Sequence, residues 1–144
     1  MAGIKINTGI IRLQVECDGR MDEIAFNPDD VGFINNFCEL MKAMEEKQAE
    51  YDAKIEELES DTSTDTYGIP SNIKERLALM LEICLFMRGQ VDSVFGAGTS
   101  QKIFGDANTL DMFTQFFEGI TPYIQKNRQE KMAKYMAGRQ AGVM

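Results

Sequence analysis

The chain has no histidine and no tryptophan, and only three cysteines and three prolines. Without histidine, one chain lacks the commonest general base and metal ligand together, which excludes Ser-His-Asp and Cys-His catalysis and histidine-ligated zinc. Cys17, Cys38 and Cys84 are odd in number and far apart, so they suit neither a disulfide framework nor a CxxC metal knuckle. Three buried, reduced thiols are expected. Long apolar runs are missing too: the best, Leu77 to Met87, is broken by Glu82 and falls short of the roughly 18 residues of a membrane span. The opening MAGIKINTGIIRL shows neither the apolar block nor the small-residue cleavage site of a signal peptide, and a cytosolic protein is expected.

The carboxylates do not fill the catalytic gap. They crowd a charged helix, and pairs such as Glu56 and Glu57 are sequence neighbours that point in different directions. Gly96 and Gly98 within FGAGTSQKIFGD superficially suggest a phosphate cradle, but the stretch lacks the GxGxxG spacing and the GK-Ser/Thr of a P-loop. The expectation is a non-enzyme without cofactor, metal or small-molecule substrate.

What is present is charge and helical periodicity. The net charge is −8, and residues 16–66 hold 16 acidic against 4 basic side chains. Residues 121–144 reverse the sign, with Lys126, Arg128, Lys131, Lys134 and Arg139 against Glu130. An acidic arm and a basic tail can attract each other between copies or steer a charged partner, or simply be solvated helix faces. Nucleic acid is disfavoured by the repulsion an acidic chain meets at each phosphate.

Taken in order, Ile11, Leu13 and Val15 alternate with polar residues, Asp18-Gly19 favours a tight turn, and Ile24 and Phe26 follow. A β-hairpin over about 10–26 is expected, with free edges suited to pairing between copies. A long helix over about 28–59 follows, capped by Asn27 and begun by Pro28. Its seam reads Ile34, Phe37, Met41, Met44, Tyr51, Ile55 and Leu58, with polar Gln48 weakening any coiled coil while helping to fix its register. At about 1.5 Å per residue it is nearly 50 Å long, so part of it should project or pair with a partner.

Residues 60–70, SDTSTDTYGIP, read as a mobile connector. The helical part, 71–137, begins with a core helix striped by Ile73, Leu77, Met80, Cys84, Met87, Val91 and Val94, widened by Leu81, Ile83, Leu85 and Phe86, and stopped where Gly96 turns left-handed. A short turn from Thr99 or Ser100 to Gly105 comes next, then a helix carrying Leu110, Met112, Phe113, Phe116, Phe117 and Ile120. Thr121-Pro122 should restart a last helix through about Ala137, and 138–144 should be a flexible tail. The fold class is mainly α: an N-terminal β-hairpin, a long helix and a C-terminal bundle of three to four helices in one domain.

The strings VFGAGTSQKIFGD (94–106), DMFTQFFEGITPYIQKNRQEK (111–131), IAFNPDDVGFINNF (24–37) and IPSNIKERLALM (69–80) resemble small tail-module proteins of siphophages and prophages of Gram-positive bacteria. That resemblance implies a tail assembly chaperone of the host cytoplasm, binding the tape measure protein and the major tail protein and absent from the finished virion. A translational frameshift extends the product in many such systems. Self-association would bring many copies to one client. Met41, Met44 and Tyr51 on the long helix, or the face of Phe113, Phe116, Phe117 and Ile120, are the candidate partner-binding residues, the phenylalanine face being alternatively core. Two other readings stand beside it: an acidic inhibitor or regulator of a host protein acting through residues 45–65, and a structural tail component kept in the virion.

Overall fold

Alternation places Ile11, Leu13 and Val15 on one face of a strand, β1 (Ile11–Cys17), in the computed structural model, which describes residues 2–125. β2 (Arg20–Phe26) pairs with it antiparallel, Ile11 opposite Phe26 and Leu13 opposite Ile24, so the apolar residues of both strands share a face. Asp18 and Gly19 turn the chain with φ of 51° and 82°. Both are positive, as a two-residue turn matched to strand twist requires, and glycine accepts this without steric cost.

The long helix α1 (Val31–Glu59) starts three residues later than the sequence suggests, with Asp30 rather than Asn27 as its cap: the Gly32 N–H donates to Asp30 Oδ1 at 3.3 Å. Asn27 is committed elsewhere. Its Oδ1 accepts from the Asp29 N–H at 3.0 Å and its Nδ2 donates to the Thr8 carbonyl at 3.0 Å. Pro28 is fully buried in the turn between strand and helix. At the far end, Asn72 Nδ2 and Arg76 Nη2 donate to the Leu58 carbonyl at 2.9 and 3.1 Å, placing a cation at the negative end of the helix dipole.

α2 (Ile73–Phe95) runs back antiparallel to α1, as Tyr51 against Phe86 and Phe33 against Phe95 show. Only part of it is core: Leu79, Cys84, Val91 and Val94 are buried, whereas Leu77, Met80, Leu81 and Leu85 are exposed. The short helix α3 (Thr99–Phe104) follows a turn whose left-handed residue is Gly98, not Gly96. Its start is held by Asp92, which accepts from the Ser100 N–H at 2.7 Å and the Ser100 hydroxyl at 3.1 Å. Arg88 ties down the chain beyond it, donating to the carbonyls of Gly105 and Ala107 and to Asn108 Oδ1.

The final described element is a helix, α4, over residues 110–125. It does not restart at Thr121-Pro122. Thr121 turns its hydroxyl back to the Phe117 carbonyl at 2.6 Å, and buried Phe116, Ile120 and Ile124, four residues apart, anchor one face through the proline. The remainder of the expected last helix and the expected flexible tail, 138–144, lie outside the described residues.

The core is a connected set of aromatic rings. Phe26 stacks on Phe33 at 5.5 Å and meets Phe95 edge-on at 5.7 Å; Phe95 meets Phe116 at 5.5 Å, and Phe104 meets Phe116 at 5.7 Å and Phe113 at 5.1 Å. Hairpin, α1, α2, α3 and α4 each supply at least one ring. The expected connector is more ordered than its composition implied: Thr64 and Pro70 form an isolated antiparallel bridge, and Asp65 Oδ1 accepts from the N–H groups of Tyr67 and Ile69 at 2.8 and 3.0 Å. Side-chain oxygens of this kind organise turns that apolar burial cannot.

Two outcomes test this arrangement. Phe116→Ala is expected to cost about 3–5 kcal/mol in chemical denaturation, because it opens the junction between Phe95 and Phe104. Asp65→Ala is expected to speed limited proteolysis within residues 60–70 several-fold while leaving the global unfolding midpoint nearly unchanged.

Candidate functional site

Of the seven residues the sequence offers as partner-binding, the structure spends most on the chain's own packing. Phe113, Phe116 and Ile120 are buried in the core and Phe117 is half-buried against Phe116, so the phenylalanine face is core rather than surface. Tyr51 is buried too, edge-on to Phe86 at 6.2 Å. Met44 is half-buried, and Met41 is exposed because the inward stripe of α1 runs through Phe33, Phe37, Leu40 and Met44, one position out of step with it. Likewise Lys47, not Gln48, takes the inward position above Tyr51, its ammonium 6.0 Å from that ring centre and 5.8 Å from that of Phe86.

Two shallow grooves flank the α1–α2 seam and share Ile55 and Ile83. One, of about 210 Å³, is lined by Met44, Tyr51, Phe86 and Met87. The other, of about 270 Å³, is lined by Leu58, Leu79, Met80 and Leu110. Glu50 sits between Lys47 at 3.2 Å and Lys54 at 3.5 Å along the rim of the first, and the Lys47 bond and charge hold its carboxyl below the usual range. These exposed ion pairs set local charge and contribute little stability.

A further open feature lies along α2 beyond these grooves. Leu77, Leu81 and Leu85 recur every four residues, hence on one helical stripe, and are 54%, 46% and 56% exposed, with Met80 exposed beside them. Tyr67 and Ile69 add exposed apolar surface on the connector leading into the same helix. Scattered exposed leucines need no explanation, but a contiguous stripe on one helix face is the usual form of a helix-binding surface. Sequence reading missed these residues as a site because it assigned the whole of α2 to the core. The available signal was geometric: α2 is apolar on more than one face, and α1 can cover only one.

The chemistry is limited. Ser100 at the start of α3 has its N–H and hydroxyl occupied by the Asp92 carboxylate, so an anion approaching the glycine turn would meet negative charge where a phosphate site needs free donors. Among the described residues no cluster of three or more Cys, Asp or Glu side chains could hold a metal ion, and no helix is long and apolar enough to cross a membrane. Cys84 is buried, which pushes its thiol up despite nearby Arg88; Cys38 is exposed and Cys17 half-buried, so the three thiols are not equally covered as expected.

The match to a family model spans residues 21–142, from β2 onward. The chain belongs to DUF6673, a family of unknown function. The DUF6673 segment includes α1, α2 and the leucine stripe, while β1 and the residues before it precede the segment. No curated protein and no solved structure matches the chain.

Replacing Leu77, Leu81 and Leu85 together with serine is expected to change the unfolding free energy by no more than about 0.5 kcal/mol per site, as surface changes usually do. The same variant should bind less of an apolar fluorescent dye. A large loss of stability would show that the stripe supports the fold.

Proposed function

We propose that the protein is a phage tail assembly chaperone that holds the tape measure protein, the major tail protein, or both during tail morphogenesis. The observation that carries the reading to particular residues is the open stripe of Leu77, Leu81 and Leu85, flanked by Met80. A long helical client presents apolar residues three and four apart, and an exposed helix face with the same spacing receives them side by side. Flexible Met80 adapts to a client whose sequence varies along its length. The resemblance of residues 94–131, 24–37 and 69–80 to siphophage and prophage tail-module proteins supplies the biological class. On this reading the chain acts without catalysis in the bacterial host cytoplasm, engages no nucleic acid, and leaves before the virion is complete.

The test is co-expression with the neighbouring tape measure and major tail proteins, followed by affinity capture and light scattering. A soluble complex is expected, and the Leu77→Ser/Leu81→Ser/Leu85→Ser variant should recover at least tenfold less client. Charge reversal at Glu56, Glu57 and Glu59 should change capture little. If neither neighbour gains solubility, the reading fails; if capture depends on the glutamates and is salt-sensitive, an acidic regulator of a host protein replaces it. Mass spectrometry of purified particles would find the chain only if it is a retained tail component.

A further inference from the structure

Residues 2–10 form no strand with the other described residues, yet they carry a strand's pattern: Ile4 and Ile6 alternate with Lys5 and Asn7, and are 91% and 78% exposed. Two isoleucines at period two are suited to one face of a sheet. The base of this arm is held at the open end of the hairpin by Asn27, whose Nδ2 donates to the Thr8 carbonyl at 3.0 Å. Gly9, at φ 107°, lies so close to the Asp29 carboxylate that any Cβ there would collide with it. The arm is thus anchored beside the end of β2, away from the outer edge of β1.

Among the described residues that outer edge is unpaired. The two-residue turn makes Cys17 and Arg20 a hydrogen-bonded pair, so Val15, Leu13 and Ile11 also turn their backbone groups toward β2. The N–H and C=O of Arg12, Gln14 and Glu16 then point outward, and no backbone partner meets them among the described residues. The edge of β2 is different, since Lys102 Nζ donates to the Glu23 carbonyl at 2.6 Å. Alongside β1 runs a groove of about 420 Å³ reaching Met112 and Phe116, continued by one of about 280 Å³ past Gly119 and Ile120. An open edge beside a groove with apolar residues at its floor and polar ones at its rim is a template for strand addition.

We propose that the arm of a second copy adds as a third strand, antiparallel, to the outer edge of β1. The register that satisfies both chains sets Ile4 opposite Cys17, Lys5 opposite Glu16, Ile6 opposite Val15 and Asn7 opposite Gln14. In it the backbone groups of Lys5 and Asn7 complete the ladder with Glu16 and Gln14, and the Lys5 ammonium meets the Glu16 carboxylate across the solvent face. Ile4 and Ile6 share the face of Val15 and Cys17 and enter the groove. Every copy both gives an arm and offers an edge, so a reciprocal exchange closes in a pair and a head-to-tail one in a ring or an open filament. This inference does not rest on the chaperone reading.

The register names its own test. Ile4→Cys, in a Cys38→Ser background, places a new thiol opposite Cys17 at a non-hydrogen-bonded position, where Cα atoms approach to about 4.5 Å and a disulfide is feasible. Mild oxidation of the full chain should give a covalent intermolecular species on a non-reducing gel, with peptide mapping locating the bond at Cys17; adding Cys17→Ser should abolish it. In parallel, Ile4→Ser/Ile6→Ser should lower the light-scattering mass to that of one chain with an unchanged circular dichroism spectrum. A disulfide formed within one chain would show the arm folding back on its own edge and would overturn the proposal. So would a monomeric parent chain at tens of micromolar, or an oligomer whose mass ignores the isoleucine changes.

Discussion

The fold depends on one run of aromatic contacts. Eight of the nine phenylalanines are linked ring to ring, from Phe37 and Phe33 through Phe26 and Phe95 to Phe116, Phe117, Phe104 and Phe113. Edge-on ring pairs stabilise beyond their buried area because the positive rim of one ring meets the negative face of the next. A two-stranded hairpin is marginal in water. Here Ile24 and Phe26 rest on rings from α1 and α2, so the sheet needs no further strand to remain folded. Its outer edge is left over as a consequence of where the core lies.

The far half of the α1–α2 pair is stabilised differently. It contains little beyond Tyr51, Phe86, Leu79 and the half-buried residues between them, and it is closed by polar bonds: Arg76 to the Leu58 and Asp61 carbonyls, and Asn72 Oδ1 accepting from Arg76 Nε at 2.7 Å. Such bonds specify the turn while contributing modest net free energy each. This end of the molecule can therefore open or shift at lower cost than the phenylalanine core, and it is the end that bears Leu77 and Leu81.

Most of the fold was legible in the sequence because its signals were local. Period-two alternation and Asp18-Gly19 specified the hairpin to its register, and the helices were visible as periodic runs. The errors arose where a local signal competed with a distant partner. Asn27 looked like a helix cap, but its Oδ1 takes the Asp29 N–H while its Nδ2 holds Thr8, and Asp30 caps instead; Thr121-Pro122 looked like a restart, but Ile120 and Ile124 hold the helix to the core. Phe95, Phe104 and Phe113 stand on three different helices, yet the fold brings all three into one network. The candidate site was the least legible part, since apolar periodicity says which residues share a face and not which faces find cover.

That ambiguity has a physical resolution in the division of α2. A helix with one apolar face is finished once a partner covers it, and α1 lies alongside Leu79, Ile83 and Met87. Leucines at 77, 81 and 85 lie beyond that contact, and their exposure leaves an unfavourable hydration term that the isolated chain does not remove. The phenylalanine core makes that tolerable, because stability is secured at a place the leucines do not touch. Core and open surface are thereby divided along one helix: Val91 and Val94 at its end belong to the core, while Leu77 and Leu81 at its beginning stay exposed. Contact with an apolar helical partner would remove the exposed term and give the second stripe the cover that α1 gives the first.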